Sequence, residues 1–318
     1  MPRTGSPRGR KWVASLLGSL ARLAGCASHQ VQPGTGTDIA VPDTDYRVEH
    51  SLPFSPDDWP QTLYGDLYLP DTPGARPVVL MVHGGGWERR SRADMTWIAE
   101  TLAGHGFAVF NIDYRFAPDY TFPAQLHDLQ VARAWINRHA GHYRLDPDSV
   151  SGFGFSSGAH LVALLALVAS SDSPLNAPHG GPDTRLRAVV VGGLPSDLAA
   201  FGSGKLLRQF LGGRPQAIPD TYRQASPITH IGAGAPPFFL FHGAMDTLVP
   251  FSQAEKFRDA LDAHRIDNEL FKMHLRGHVT SFLTAGDAVD AAIRFLARQE
   301  RRPQEGGQES GQGRKTNS

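Results

Sequence analysis

A serine set between a buried-type strand and a helix start is the feature that most constrains the fold of this chain. Residues 150–155 form a continuous apolar run, which is typical of a strand covered on both faces of a parallel sheet. The run leads into the string G-F-S-S-G at residues 154–158, after which small residues open a helical pattern. A G-x-S-x-G turn needs this strand-turn-helix context, and its glycines let backbone segments pass closely. The context argues against a chance match in a glycine-rich chain.

The same alternation of strand and helix patterns continues along the chain. Apolar or alternating runs predict strands, and 3.6-residue periodicity predicts helices. The predicted strands are 62–69, 77–82, 108–112, 150–155, 186–191, 237–241 and 269–273, and the predicted helices are 94–104, 123–139, 157–169, 252–263 and 286–298. This alternation predicts an α/β protein with a mostly parallel, doubly wound sheet and helices on both faces.

Local signals predict how several of these segments begin and end. Asp287 is expected to cap the last helix, while His139 and Gly141 are expected to end the helix from residue 124. The Gly/Pro-rich stretch 192–236 contains a short helix-like segment, Lys205–Leu211, and is predicted to form a lid over the site.

Charge and cysteine content exclude some classes of protein. The 31 basic residues balance 31 acidic ones, and no dense basic stripe occurs in the body of the chain, so no nucleic-acid partner is expected. Cys26 is the single cysteine, so internal disulfides cannot stabilise the fold.

The N-terminal residues have the layout of an export signal. A basic start is followed by an apolar stretch at 12–20, which is too short to span a bilayer, and by Leu-Ala-Gly-Cys at 23–26. This ending resembles a bacterial lipobox and predicts a signal peptide at 1–26, lipidation of Cys26 and a cell-envelope lipoprotein. Arg22 interrupts the apolar pattern, which leaves an ordinary cleaved signal with secretion, a basic tail, or a transit peptide as alternatives.

Composition also predicts the boundaries of the folded domain. Residues 27–45 are polar and Gly/Pro-rich and are predicted to be a linker. The catalytic domain is expected at 46–300, and the Gln/Gly/Glu-rich residues 301–318 are predicted to be disordered.

A glycine loop after the strand at 77–82 provides candidate hydrogen-bond donors. In His-Gly-Gly-Gly-Trp at 83–87, backbone N–H groups can face a ligand without Cβ obstruction. Gly85 and Gly86 are the favoured oxyanion-hole donors, with Gly84 as an alternative. The backbone N–H of Ser157, at the start of the next helix, is the third donor. His83 is expected to brace the loop.

An acid and a base follow two later strands. A serine hydroxyl needs a base to take its proton and a third group to orient that base. Ser156 is the candidate nucleophile, Asp246 the acid and His278 the base, in the chain order of an α/β-hydrolase triad. The alternative base is His274, and the alternative acids are Asp197 and Asp220; His160 is expected to be a packed or surface histidine.

No metal or other cofactor is expected. The close histidine pairs are His274 with His278 and His139 with His142, and neither carries the glutamate of an H-E-x-x-H motif.

With these motifs, the chain resembles bacterial α/β-hydrolase esterases of the hormone-sensitive-lipase type, and more closely the group related to feruloyl and acetyl-xylan esterases. The further matching strings are N-I-D-Y-R-F-A-P at 111–118, F-P-A-Q at 122–125 with Asp128, and H-G-A-M-D at 242–246 followed by Val249-Pro250. The segment before Leu63 does not look like the helical cap of the hormone-sensitive-lipase enzymes.

The resemblance implies an α/β-hydrolase fold, with Ser156, Asp246 and His278 on the family's triad positions and Gly85, Gly86 and Ser157 on its oxyanion positions. The expected reaction is hydrolysis of short-chain or aryl carboxylic esters through an acyl-enzyme. The expected substrates are therefore small molecules. An arylformamidase-like amide hydrolase and a non-catalytic binding protein of the same fold are the alternatives.

Overall fold

The computed structural model describes residues 27–31, 39–41 and 43–302. The predicted signal peptide, Cys26 and most of the predicted disordered tail lie outside these residues. The strands of the described part are β1 (Ala27–Val31), β2 (Tyr46–Pro53), β3 (Tyr64–Pro70), β4 (Arg76–Val82), β5 (Ala108–Ile112), β6 (Leu145–Phe155), β7 (Val189–Gly192), β8 (Phe238–Gly243) and β9 (Asn268–Met273).

These strands form one sheet in the order β1-β9-β8-β7-β6-β4-β5-β3-β2. The strands from β9 to β5 are mutually parallel, while β1 pairs antiparallel with β9 at one edge and β3 and β2 are antiparallel at the other. The prediction of a mostly parallel sheet is confirmed. Because parallel strands end on the same side, the loops after β4, β6, β8 and β9 meet at one edge.

Helices cover both faces of the sheet. The α-helices of the described residues are α1 (Thr96–Gly104), α2 (Ala124–Tyr143), α3 (Ser157–Ala169), α4 (Leu198–Phe201), α5 (Lys205–Leu211), α6 (Pro219–Gln224), α7 (Ser252–Ala263), α8 (His278–Leu283) and α9 (Gly286–Glu300). Helices α2, α3 and α7 pack in one apolar core, and α1 and α9 pack in the other.

The central strand β4 shows why the predicted strands read as continuous apolar runs. Val78, Leu80 and Val82 enter the core with α2 and α3, whereas Val79 and Met81 enter the core with α1 and α9. Successive side chains of a strand point to opposite faces, so residues 78–82, which are covered on both sides, form a continuous apolar run.

The prediction of a linker at 27–45 is wrong for its first five residues. Ala27–Val31 forms the edge strand β1, held by the β9 ladder and by a hydrogen bond between His29 Nε2 and Glu269 Oε2 at 2.8 Å. An edge strand needs an apolar pattern only where it covers a core, and β1 is largely exposed. Its pairing partner lies more than 200 residues away in the sequence, beyond the reach of a local pattern.

Two predicted helix boundaries are also corrected. Helix α2 continues through Gly141 to Tyr143, and Arg144 takes the left-handed stop with a φ of 52°. Helix α9 begins at Gly286, so Asp287 lies in its first turn and does not cap it by a side-chain hydrogen bond. Its charge still favours that end of the helix dipole. Among the described helices, none is long and apolar enough to cross a membrane.

Candidate active site

Ser156 occupies a strained turn between β6 and α3. Its φ of 55° and ψ of −122° lie in a region that non-glycine residues rarely adopt. The flanking glycines are required by close contact: a Cβ at Gly154 would lie 2.4 Å from the carbonyl oxygen of Gly158, and a Cβ at Gly158 would lie 2.2 Å from that of Val82. The turn therefore seats α3 tightly against β4 and β6 and raises the serine above the sheet edge.

The structure brings the three predicted triad residues into one hydrogen-bonded chain. Nε2 of His278 is 2.9 Å from Ser156 Oγ, and Nδ1 of the same ring is 2.6 Å from Asp246 Oδ2. Because a carboxylate only accepts, the Nδ1–H donates to Asp246, which leaves Nε2 free to accept from the serine hydroxyl. The imidazole is thus oriented as a base toward Ser156.

The Asp246 carboxylate is buried and fully hydrogen-bonded. Its Oδ1 accepts from the backbone N–H groups of Leu248 at 2.9 Å and Val249 at 2.8 Å, and its Oδ2 faces His278. Burial alone would raise the pKa of Asp246, but hydrogen bonds from His242, His278 and the Val249 amide hold the pKa well below its usual range. The acid is therefore ionised and stabilises a positive charge on the imidazole.

The glycine loop lies across the turn that carries Ser156. A Cβ at Gly84 would be 3.3 Å from Ser156 Cβ, and Gly85 and Gly86 adopt φ values of 123° and 66°. Ser157 is the first residue of α3, so its N–H has no partner within the helix. Among the described residues, no backbone carbonyl accepts from the amides of Gly85, Gly86 or Ser157. These N–H groups can therefore donate to a ligand oxygen.

Comparison with known proteins gives the family. The sequence profile described as BD-FAE matches residues 65–261, which span the glycine loop, Ser156 and Asp246. The chain belongs to the BD-FAE family. The resemblance to esterases related to feruloyl and acetyl-xylan esterases is confirmed at this level.

A curated relative of this BD-FAE chain is the probable carboxylic ester hydrolase LipM of Mycobacterium tuberculosis, which is 35% identical over 199 residues, covering 60% of this chain and 46% of LipM. The chain spans about half the length of the curated relatives LipM, LipQ and LipC.

Solved structures show the same α/β-hydrolase fold. A truncated carbohydrate esterase from gut microbiota superposes with a TM-score of 0.72 at 23% identity, covering 83% of this chain and all of that one. The propionate-bound esterase Est2 of Thermogutta terrifontis superposes with a TM-score of 0.64 at 25% identity, covering 81% and 94% of the two chains.

The structure does not place the alternative base, His274, or the alternative acids, Asp197 and Asp220, in the hydrogen-bonded chain with Ser156. His274 is exposed at the end of β9 and Asp220 is exposed and paired with Arg223, whereas Asp197 caps α4 by accepting from the Ala200 amide at 3.0 Å. His83 is buried, stacks on Tyr114 and donates from Nδ1 to the Gly84 carbonyl at 2.6 Å. It braces the glycine loop.

His242 is a site residue that the sequence analysis did not single out. Its Nε2–H donates to the Val249 carbonyl at 2.8 Å and lies 3.3 Å from Asp246 Oδ2. The ring therefore fixes both the carboxylate and the loop that supplies the carboxylate's backbone donors. Its place at the head of the H-G-A-M-D string, at the end of β8, was the available signal.

Gly193, directly after β7, is a second residue that the sequence analysis missed. Its φ is 56°, and a Cβ there would lie 2.9 Å from His278 Cε1. The His278 imidazole thus packs on bare backbone on this side. On another side it contacts the ring of Phe155, with centroids 5.1 Å apart. The glycine pair 192–193 was the only local signal.

The segment predicted as a lid covers the glycine loop. A Cβ at Gly86 would lie 3.1 Å from Cδ1 of Leu206, which belongs to α5. Phe210 of the same helix stacks on Trp87 at 4.6 Å. The helix-like segment predicted at Lys205–Leu211 is confirmed as α5, and it forms an apolar wall beside the glycine loop.

Buried His160 joins three parts of the site. Its Nδ1 accepts from the Trp87 indole at 3.2 Å, and its Nε2–H donates to the Ala225 carbonyl at 2.7 Å. Burial lowers the pKa of His160 to about 4, so the ring is neutral near pH 7. Within the described residues, no cluster of three or more His, Cys, Asp or Glu side chains could hold a metal ion.

Proposed function

We propose that this chain is a serine carboxylic-ester hydrolase that acts on short-chain or aryl esters through an acyl-enzyme. The observation that carries the proposal is the continuous chain from Ser156 Oγ through His278 to Asp246, with spacings of 2.9 and 2.6 Å, beside free backbone amides. The name of LipM and the propionate bound to Est2 support the same class of reaction.

Acylation begins when Ser156 Oγ attacks the ester carbonyl carbon and His278 Nε2 takes the hydroxyl proton. The carbonyl oxygen becomes an oxyanion and receives hydrogen bonds from the N–H groups of Gly85, Gly86 and Ser157. Asp246 keeps its hydrogen bond from Nδ1 and stabilises the imidazolium. The bond to the alcohol oxygen then breaks, and Nε2–H gives its proton to that oxygen.

Deacylation repeats these steps with water. His278 removes a proton from the water as its oxygen attacks the acyl carbon, and the same three amides stabilise the second oxyanion. The bond to Ser156 Oγ breaks, and the imidazolium returns a proton to the serine. The products are a carboxylic acid and an alcohol, and the enzyme returns to its starting state.

Ser156→Ala tests the proposal. We expect loss of p-nitrophenyl acetate and butyrate hydrolysis by at least about 10³-fold, with an unchanged circular dichroism spectrum. Ser151→Ala is a matched control, because Ser151 is a buried serine of β6 that takes no part in the hydrogen bonds between Ser156, His278 and Asp246.

A fluorophosphonate probe and a substrate panel distinguish the alternatives. We expect an adduct on Ser156 and turnover of acetyl, butyryl or feruloyl esters. Turnover of formyl-amides in preference to every ester would favour an amide hydrolase. Absence of both adduct and turnover would favour a binding protein.

We also propose that the chain is exported and lipidated at Cys26. The basic start, the short apolar stretch and the Leu-Ala-Gly-Cys string support this localisation. Mass spectrometry of the mature N-terminus in a bacterial host tests it. A diacylated Cys26 is expected, and an unmodified Cys26 would refute the anchor.

A further inference from the structure

Large apolar side chains project into solvent from the loop that carries Asp246 and from the segment 275–283 that carries His278. These five residues, called here the apolar rim, are Met245, Leu248, Leu275, Val279 and Leu283, and each is 55–69% exposed. Elsewhere in the described chain, the exposed large apolar residues are Tyr46 and Tyr64, at 38% and 41%. Exposed apolar surface is thus concentrated at the mouth of the site, which is typical of an interaction surface.

The two segments that carry the rim lie next to each other. The Met245 amide donates to the Arg276 carbonyl at 3.0 Å, which joins the loop after β8 to the loop after β9. Val279 and Leu283 are four residues apart on α8 and therefore share a face. Phe282 of the same helix turns toward the site and packs on Phe155 at 4.8 Å. The helix thus has one face in the site and one apolar face in solvent.

The charge of the rim suits an anionic lipid surface. Residues 274–284 include no Asp or Glu, and the Asp246 carboxylate is turned inward with no exposed side-chain surface. Arg276 adds a cation, whose Nε donates to Thr284 Oγ1 at 2.9 Å. An apolar face with a cation and no exposed carboxylate matches the boundary between lipid headgroups and acyl chains.

Strand β1 brings the N-terminal part of the chain to the same place. Ala27 pairs with Met273, which stands two residues before Leu275 of the rim. Two side-chain hydrogen bonds also hold the strand, one between His29 and Glu269 and one from Arg258 to Gln30. Ala27 directly follows Cys26, the predicted lipid attachment. A lipid attached to Cys26 would therefore hold the bilayer close to the rim, because no linker separates Cys26 from β1.

We infer that the apolar rim docks on the surface of a lipid bilayer, so that the mouth of the site faces the membrane. Docking itself does not depend on the chemistry at Ser156. Its consequence, that amphiphilic esters reach the site from the membrane, rests on the proposed function.

Vesicle flotation tests the docking in the full chain with Cys26→Ala, which removes the lipid. The vesicles contain phosphatidylcholine and phosphatidylglycerol. The rim variant carries Leu275→Ser, Val279→Ser and Leu283→Ser, and the matched control carries Tyr46→Ser and Tyr64→Ser. We expect the rim variant to lose at least about tenfold in the vesicle partition coefficient, and the control to lose less than about twofold.

Equal partitioning of the rim variant and its parent would overturn the inference. A rim variant that changes from dimer to monomer in light scattering, with unchanged partitioning, would also overturn it and assign the rim to a second copy of the chain. Thermal melting checks that both variants fold.

Activity distinguishes failure of the docking from failure of the proposed function. The rate on a vesicle-borne long-chain p-nitrophenyl ester, divided by the rate on soluble p-nitrophenyl acetate, should fall at least about tenfold in the rim variant. Rim-dependent flotation of a chain that hydrolyses neither ester would support docking and refute the esterase. An unchanged ratio in an active chain would refute delivery of the ester through the rim.

Discussion

The indole N–H of Trp87 donates to Nδ1 of His160 across 3.2 Å and joins the end of the glycine loop to α3, the helix that follows Ser156. The other ring nitrogen of His160 donates to the Ala225 carbonyl in the segment that covers the loop. A protonated ring would lose the bond from Trp87, because Nδ1 could no longer accept. The position of the glycine loop is therefore coupled to a neutral, buried histidine.

His160 makes the stability of the fold depend on pH. Its folded-state pKa of about 4 lies below the value of about 6.5 expected in the unfolded chain, so its contribution is complete above pH 6.5 and is lost as pH falls toward 4. Between pH 7.5 and 5 we expect the free energy of unfolding to fall by about 2 kcal/mol more in the wild type than in His160→Gln.

Urea denaturation at the two pH values measures this difference. His264→Gln, at an exposed position on the surface, is the control and should behave as the wild type. The same pH-dependent loss in His160→Gln and the wild type would contradict the assignment.

His242 acts as a positioning residue for the acid. Its Nε2–H contacts both the Val249 carbonyl and the Asp246 carboxylate. His242→Phe removes this donor. We expect kcat for p-nitrophenyl butyrate to fall about 10–100-fold with KM changed less than about threefold, because the ring is buried and acts through Asp246.

His242→Gln retains an N–H donor and should recover part of the loss in kcat. Steady-state kinetics of the two variants, with thermal melting of each, checks the role. Equal kcat values for the Phe and Gln variants would mean that the ring serves packing alone.

The sequence predicted that Ser156, Asp246 and His278 lie close together, because Asp246 and His278 each follow an apolar strand and parallel strands end at one edge. His242 and Gly193 were not predicted, since their roles depend on which strand lies beside which. Gly193 contacts His278 only because β7 stands between β6 and β8. Strand β1 was missed for a related reason: its side-chain partner, the buried Glu269, lies 240 residues from His29.

Gly193 leaves room for the imidazole of His278. Gly193→Ala would place a Cβ 2.9 Å from His278 Cε1 and keep an unfavourable φ of 56°. We expect kcat/KM to fall about 100-fold through displacement of the ring, and stability to fall by about 1 kcal/mol.

Gly204→Ala is the matched control, because a Cβ there meets nothing within 4 Å and its φ is −59°. Ester hydrolysis and urea denaturation of both variants check the prediction. A Gly193→Ala enzyme with wild-type kcat/KM would show that the imidazole tolerates displacement.

Glu269 fixes the edge strand β1 to the sheet. Its buried carboxylate binds both His29 and Arg298, and although burial alone raises the pKa of Glu269, the hydrogen bonds from these two residues lower it. Glu269→Gln leaves Arg298 without its charge partner, so we expect a loss of about 3 kcal/mol in the free energy of unfolding and faster amide exchange in residues 27–31.

Asp267→Asn is the control. Asp267 directly precedes β9, the strand of Glu269, and the substitution removes its more exposed ion pair with Arg302. It should cost about 1 kcal/mol or less and leave exchange in β1 unchanged. Hydrogen–deuterium exchange with mass spectrometry measures the strand directly. The Glu269→Gln substitution leaves the backbone hydrogen bonds between β1 and β9 in place. Unchanged exchange of residues 27–31 would therefore mean that these backbone bonds hold β1 without help from Glu269.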